Sequence, residues 1–332
     1  MPVAASSPTP TRSRSTRKPW TRPPPCSTLS VCPVKTFTRA KPGRTTTFGG
    51  KALEVFLNGD FVDIREARVS AFDTGFLLGY GAFETMRAYA GKVFRPGAHL
   101  QRLNLTCTAI GIPFQGETHW LEKTAAELLA RNGFSEARVR LTVTPGPQEL
   151  QSSNPTVMIA AFPLQKTHNP TSGWRTSLYR GIISSRDPLR AHKTTSYLEK
   201  VLARQEAKKN GFDEALFVNE KGNVTEGAAT NIFCVRAGRL LTPPVTEGLL
   251  PGITREVVAE LAAGIGIPLV EHPLSAIDVV QSDEAFLTNS VVEIVPLLAV
   301  GNTPVADGKP GPITTDLQRA YRELVKRELK IY

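Results

Sequence analysis

The sequence has no apolar run near the roughly 20 residues needed to cross a bilayer. Its start also lacks the apolar stretch that a secretory leader requires. A membrane-spanning or exported protein is therefore not expected. Cysteine is scarce, with four in 332 residues. Cys26, Cys32, Cys107 and Cys234 form no CxxC pair, which removes the zinc and dithiol signatures. Scattered thiols of this kind fit a reducing compartment, where they act as small buried apolar groups. His99, His119, His168, His192 and His272 form no HxH or HxxxH pair, so no metal site is expected.

Acidic residues are missing from the first 53 positions, which hold ten Lys or Arg, from Arg12 to Lys51. The formal charge of +10 lies there entirely, since 30 bases face 30 acids from Glu54 onward. The body has no basic bias, and this argues against a nucleic-acid-binding function. Residues 1–52 are rich in Pro, Ser, Thr and Arg and too poor in large apolar side chains to offset their ordering entropy. We read them as a disordered basic extension. It is either an organellar transit peptide or upstream sequence before a true start near Lys51. The corresponding expectation is a cytoplasmic protein, or a plastid or mitochondrial one if the extension is a transit peptide.

From Leu53 the pattern is one of short strands mixed with helices. Asn58-Gly59 joins two strands as a hairpin, and Ala90-Gly91 turns another. Helices are predicted over about 97–110 and 117–132, and strands over about 137–143 and 156–163. A polar stretch, 165–173, reads as a linker. Beyond it come a strand near 174–180, a helix over about 197–210 closed by Gly211, and strands over 214–218, 231–235 and 284–287. A helix begins after Pro251-Gly252, and a last one spans about 314–329. This is a mixed α/β fold with a small domain over 53–164 and a larger one over 174–332.

Four segments carry residues suited to chemistry. Lys193 sits where a loop enters a helix. A lysine there can lose solvent and have its pKa lowered, as a Schiff-base amine requires; the alternative is a solvated surface lysine. Glu226, beside Gly227, can approach a heterocyclic nitrogen and keep it protonated, or it is a plain turn glutamate. Ile253 and Thr254 open a helix, where free N–H groups bind phosphate; the alternative is ordinary capping. Ser290 and its neighbours in Leu287-Thr288-Asn289-Ser290 can add hydroxyls to that cup, or form an Asn/Ser turn.

Together these segments resemble a known family. HKTTSYLEKVLARQEA, DEALF, VTEGAATNIF, LLTPP, LLPGITR and DEAFLTNSVVEIVPL occur in the order and spacing of the fold-type IV pyridoxal-phosphate (PLP) enzymes. FLNGDFV, FDTGFLLGYGAFETMRAY and HLQRL resemble the family's small domain. The resemblance covers roughly residues 54–325. It implies a small α/β domain, a larger pseudo-barrel domain, PLP as cofactor and a homodimer. It assigns Lys193 to the Schiff base and Glu226 to the pyridine nitrogen. It assigns Arg102, Ile253, Thr254 and Ser290 to the cofactor phosphate, and Tyr197 to the ring hydroxyl.

Within the family, three features resemble aminodeoxychorismate lyase, which releases pyruvate and 4-aminobenzoate. Thr85 in FETMR stands where branched-chain aminotransferases have glycine. LTNSVVEIVPL and the four-residue gap from Lys193 to Tyr197 also resemble lyases. Arg138 and Arg140 are two apart on a strand, so they share a face and suit a substrate with two carboxylates. Either could equally lie on a solvated face. The expectation is a lyase with Lys193 as base and Thr85 as proton relay. The alternative is an aminotransferase acting on branched-chain L-amino acids, D-amino acids or R-amines.

Overall fold

A computed structural model of the chain describes residues 47–48, 51–147, 154–164 and 172–331. The expected linker falls largely outside them, as does most of the expected extension. The extension is not structureless to its end, because β1 (Thr47–Phe48) pairs with β2 (Lys51–Ala52).

The first half forms a six-stranded sheet in the order β4-β3-β8-β7-β5-β6. Its strands are β3 (Glu54–Leu57), β4 (Asp60–Asp63), β5 (Ala82–Tyr89), β6 (Lys92–Val93), β7 (Ala137–Thr144) and β8 (Thr156–Pro163). Both predicted hairpins form: Asn58 has a positive φ in the β3–β4 turn, as do Ala90 and Gly91 between β5 and β6. A short helix, α1 (Thr74–Leu78), precedes β5 and was not anticipated.

Alternation decides which face of this sheet is core. Ala137, Val139, Leu141 and Val143 of β7 are buried, and they pack with Met86 and Ala88 of β5. Helices α2 (Pro96–Ala109) and α3 (Thr118–Asn132) cover this face. Leu100, Leu103 and Cys107, with Leu121, Ala125, Leu128 and Leu129, make the helical stripe that the period requires. The even residues of β7 and the odd residues of β5 therefore lie on the opposite face. There the register sets Thr85 against Arg140 and Arg87 against Arg138.

The second half forms a ten-stranded sheet with the path β14-β13-β12-β16-β17-β9-β10-β11-β15, and β18 (Thr303–Pro304) beside β17. The strands are β9 (Trp174–Ile183), β10 (Glu214–Asn219), β11 (Asn223–Gly227), β12 (Asn231–Arg236), β13 (Arg239–Thr242), β14 (Leu269–Glu271), β15 (Leu274–Ser275), β16 (Glu284–Asn289) and β17 (Glu293–Val300). The order mixes parallel and antiparallel pairs. Its central strands are buried on both faces. Phe233 and Phe286, cross-strand partners stacked 5.0 Å apart, pack with α5 (Ile253–Gly264) and α7 (Pro312–Leu329). Ile232, Cys234 and Leu287 pack on the other side, against Leu216, Val224, Leu274 and Val279 of α6 (Ala276–Val280). Glu226 lies in β11, so the turn reading of its segment is corrected: Leu216 pairs with Gly227, and the ladder runs to the end of VTEG.

Candidate active site

Lys193 is placed by backbone pairing between the two halves. Its segment follows a short 3₁₀ turn (Pro188–Ala191) and precedes α4 (Leu198–Lys209). Phe83 N–H donates to Lys193 O at 3.0 Å, Thr195 N–H donates to Gly81 O at 2.8 Å, and Ala82 bridges Thr194. The approach is close: a Cβ at Gly81 would stand 2.9 Å from both Thr195 Oγ1 and Val143 O. The start of β5 thus anchors the lysine in the wall of a cavity of about 1600 Å³.

All ten residues singled out from the sequence line this cavity: Thr85, Arg102, Arg138, Arg140, Lys193, Tyr197, Glu226, Ile253, Thr254 and Ser290. They come from both sheets, from α2, and from the loops and helix starts around α4 and α5, which is why only the fold could bring them together.

Lys193 Nζ makes no ion pair among the described residues, and it stands 4.8 Å from the centre of the Phe83 ring. Burial first, and then the Arg102 charge, bring its pKa down from 10.5 to about 7. At neutral pH a large share of this amine is unprotonated, as a nucleophile or base requires. Tyr197 packs edge-on against Phe83 and donates its hydroxyl to Ala228 O at 2.5 Å.

At one end of the cavity the donors suit a phosphate. Helix α5 starts at Gly252 with no side-chain cap, so its first N–H groups are free. A Cβ at Gly252 would fall 1.9 Å from Asn231 Oδ1, so only glycine fits this entry. Arg102 reaches the same corner and donates to Pro251 O at 2.7 Å. Ser290, between β16 and β17, lies 3.3 Å from His99 Nε2. Thr230 and Thr288 line the same space, and their buried hydroxyls have no hydrogen-bond partner among the described residues.

Three residues here escaped the sequence reading. Glu84 sits on the core face of β5, where alternation calls for an apolar side chain, and is fully buried. It accepts both arms of Arg102 at 2.7 Å and His99 Nδ1 at 2.8 Å. Burial pushes the Glu84 pKa up, but Arg102 and His99 outweigh it and hold it at about 2. Burial lowers that of His99, which Glu84 only partly offsets. His99 and Arg102 are three apart on α2, so both face Glu84; that spacing was the available signal. The third missed residue is Lys200, whose Nζ lies 2.7 Å from Glu226 Oε1. It is three positions after Tyr197 on α4, again one helix face.

At the other end, Arg138 and Arg140 line the cavity with no ion pair among the described residues. Arg140 lies 3.8 Å from the Phe83 ring centre and Arg138 5.1 Å from that of Phe162. Burial, and then the neighbouring Arg138 charge, lower the Arg140 pKa. Arg87, the third arginine on this face, is already paired with Glu293 at 2.9 Å and Glu136 at 3.5 Å.

Residues 81–300 match the family model described as amino-transferase class IV. The chain belongs to that family. Among its relatives, this class IV protein is 35% identical over 288 residues to a Methanocaldococcus jannaschii protein provisionally named branched-chain-amino-acid aminotransferase; the match covers 84% of this chain and 99% of that protein. It is 29% identical to a D-alanine aminotransferase of Staphylococcus haemolyticus, over 82% of this chain and 98% of the other. A solved branched-chain amino acid aminotransferase from Thermobaculum terrenum, in its PLP form, superposes with a TM-score of 0.74 at 26% identity, over 82% of this chain and 93% of that one. The expected mixed α/β class IV fold and the expected cofactor, PLP, are thus both established. The cavity agrees, offering a desolvated amine, a buried carboxylate and an uncapped helix start backed by an arginine. The kinship to lyases read around Thr85 is not what these relatives show, since all three are named aminotransferases. Among the described residues, no helix is long and apolar enough to cross a membrane.

Proposed function

We propose that this class IV enzyme is a PLP-dependent aminotransferase, one of whose substrates carries a second carboxylate. The observation that carries this reading is the pair Arg138 and Arg140, side by side on β7, facing the Lys193 cavity without any acid of their own. Arg138 is exposed and Arg140 half-buried, so Arg140 has lost part of its hydration without gaining a counter-charge, and a dicarboxylate would supply that charge to the pair in bidentate form. Named relatives that act on branched-chain amino acids and on D-alanine support the reaction type and leave the second substrate open.

When bound, PLP supplies an electron sink for the electrons of a broken C–H bond. The chain's own residues then divide the work. Arg102, Ser290 and the N–H groups of Ile253 and Thr254 would hold the phosphate, and Glu226 the ring nitrogen. Tyr197 would orient the ring, with its own hydroxyl tied to Ala228. Lys193, at a pKa of about 7, would take the substrate proton and return it. Arg138 and Arg140 would orient the carboxylates so that this proton faces Lys193.

A lyase is the second reading, and one observation favours it. Thr85 lines the cavity directly opposite Arg140, where its hydroxyl could pass a proton to a departing group. The deciding experiment incubates the holoenzyme separately with L-glutamate, L-leucine, D-alanine, an R-amine and aminodeoxychorismate. Formation of 2-oxo acids from the amino acids, with the cofactor turned to its amine form, supports the aminotransferase. Equimolar pyruvate and 4-aminobenzoate from aminodeoxychorismate, with no amine form, would replace it by the lyase. The homodimer is also a proposal, consistent with exposed Phe76, Leu78, Leu198 and Leu202, and light scattering of the purified protein tests it.

A further inference from the structure

Glu226 differs from the free arginines in one respect: its charge is already answered. The carboxylate is almost fully buried. Oε1 accepts from Lys200 Nζ at 2.7 Å and Oε2 from Leu250 N–H at 3.1 Å. Lys200 is itself mostly withdrawn from solvent and lines the same cavity. Its ammonium lies 5.4 Å from the Tyr197 ring centre. Burial works against its charge, but Glu226 and then Tyr197 outweigh that, so its pKa is raised and it stays an ammonium. The other charges nearby are Arg190, paired with Asp187 and Glu199, the Arg204–Glu214 contact at 4.0 Å, and Lys193. None of these replaces Lys200 at Glu226 Oε1.

A carboxylate that holds one ammonium holds a second cation less strongly, because the two cations repel across it. We propose that Lys200 is a positioning residue that fixes Glu226 and, by its charge, lowers the pH at which the ring nitrogen of bound PLP gives up its proton. The enzyme's electron sink is then moderated by a residue of α4 and not set by Glu226 alone. This rests on the reading that Glu226 faces the ring nitrogen, and the test separates the two claims.

The experiment loads the enzyme with PLP labelled with nitrogen-15 in the ring and follows the label's NMR shift from about pH 6 to about pH 10, the span over which a buried pyridinium loses its proton. Lys200→Met should move the midpoint upward by about one pH unit, a tenfold change in proton affinity, and Lys200→Arg should leave it in place. Glu226→Gln is the control and should move it downward. If Glu226→Gln leaves the midpoint unchanged, the placement of Glu226 fails. If Glu226→Gln moves it but Lys200→Met does not, the role of Lys200 is overturned while the placement stands, and a wild-type nitrogen that never titrates in this range likewise overturns the role of Lys200. Should Lys200→Met release the cofactor, equilibrium dialysis decides. Retention by the Lys200→Met/Glu226→Gln double variant shows that Lys200 acts through Glu226, and loss from that variant too refutes it.

Discussion

The two ends of the cavity handle charge in opposite ways. At the end proposed for the phosphate, Arg102 is locked by both oxygens of Glu84, with His99 behind. At the far end, Arg138 and Arg140 meet no acid among the described residues: Arg138 lies over the Phe162 ring, and Arg140 lies over the Phe83 ring and donates to Thr142 Oγ1 at 3.1 Å. The contrast separates two uses of one side chain. A guanidinium balanced by the protein is held in place before any ligand arrives and gives geometry. One left unbalanced keeps most of its electrostatic attraction for the ligand and gives selectivity. Lys193 belongs with the second kind, since its charge is disfavoured by burial and unrelieved by an ion pair.

The largest effect should come from removing the group on which both ends converge. Lys193→Met should abolish the absorption of lysine-bound cofactor and lower turnover by about 10⁴-fold, the upper range for loss of a general base. A variant that keeps that absorption and turns over would remove Lys193 from the chemistry.

Next comes the locked end. Glu84→Gln leaves Arg102 partly unanswered in a buried site, and loss of one partner of such a pair costs about 3–5 kcal/mol. Urea unfolding of the cofactor-free protein measures this. The same carboxylate gives the wild type an acid limit. Its folded pKa of about 2 lies below the ordinary value of 4.5, so its contribution is complete above the unfolded value and fades as pH falls through the folded one. In Glu84→Gln that part of the acid sensitivity should be absent. Equal acid transitions in the two proteins would contradict it.

The unlocked end should respond in affinity and not in stability. Arg140→Leu or Arg138→Leu should leave the unfolding midpoint nearly unchanged or slightly raised. Each should weaken a dicarboxylate substrate by about 1.5–3 kcal/mol, the worth of a charged hydrogen bond, or roughly 10- to 100-fold in KM. A substrate with one carboxylate should lose much less. If both variants unfold as readily as Glu84→Gln, the two ends are alike and the contrast fails.

The same division explains what the sequence showed. Arg138 and Arg140 were legible because strand alternation puts i and i+2 on one face, and a charged face beside an apolar one stands out. The helix start proposed for the phosphate was legible because Pro251-Gly252 marks it. Glu84 was hidden, since it breaks the alternation that makes β5 readable and its partners lie on α2, 15 and 18 positions on. Lys200 was hidden because a lysine on a helix reads as solvated until the fold sets β11 against it. Strand β17 had no period to read, because most of Glu293–Val300 is buried on both faces.

The smallest effect tests whether Lys193 is uncompensated before any cofactor binds. Its folded pKa, about 7, lies below the ordinary value of 10.5. Between these values the unfolded chain binds a proton that the folded chain does not, so stability rises with pH through this window. Below it both states are protonated, and the penalty is constant. The other shifted groups are common to the wild type and Lys193→Met, including Glu214, whose carboxyl pKa burial raises, so the difference between the two proteins isolates Lys193. Glu84 acts at acid pH, and His99 falls below its ordinary 6.5. Cys107 and Cys234, which burial pushes up to about 12, act with opposite sign only above their ordinary 9.0. From about pH 7 to about pH 8.5 the melting temperature of the cofactor-free wild type should therefore rise relative to that of Lys193→Met. Because the thiols are common to both proteins, their part cancels in the difference. Parallel curves would mean that the folded lysine keeps its proton and that its desolvation is relieved even without the cofactor.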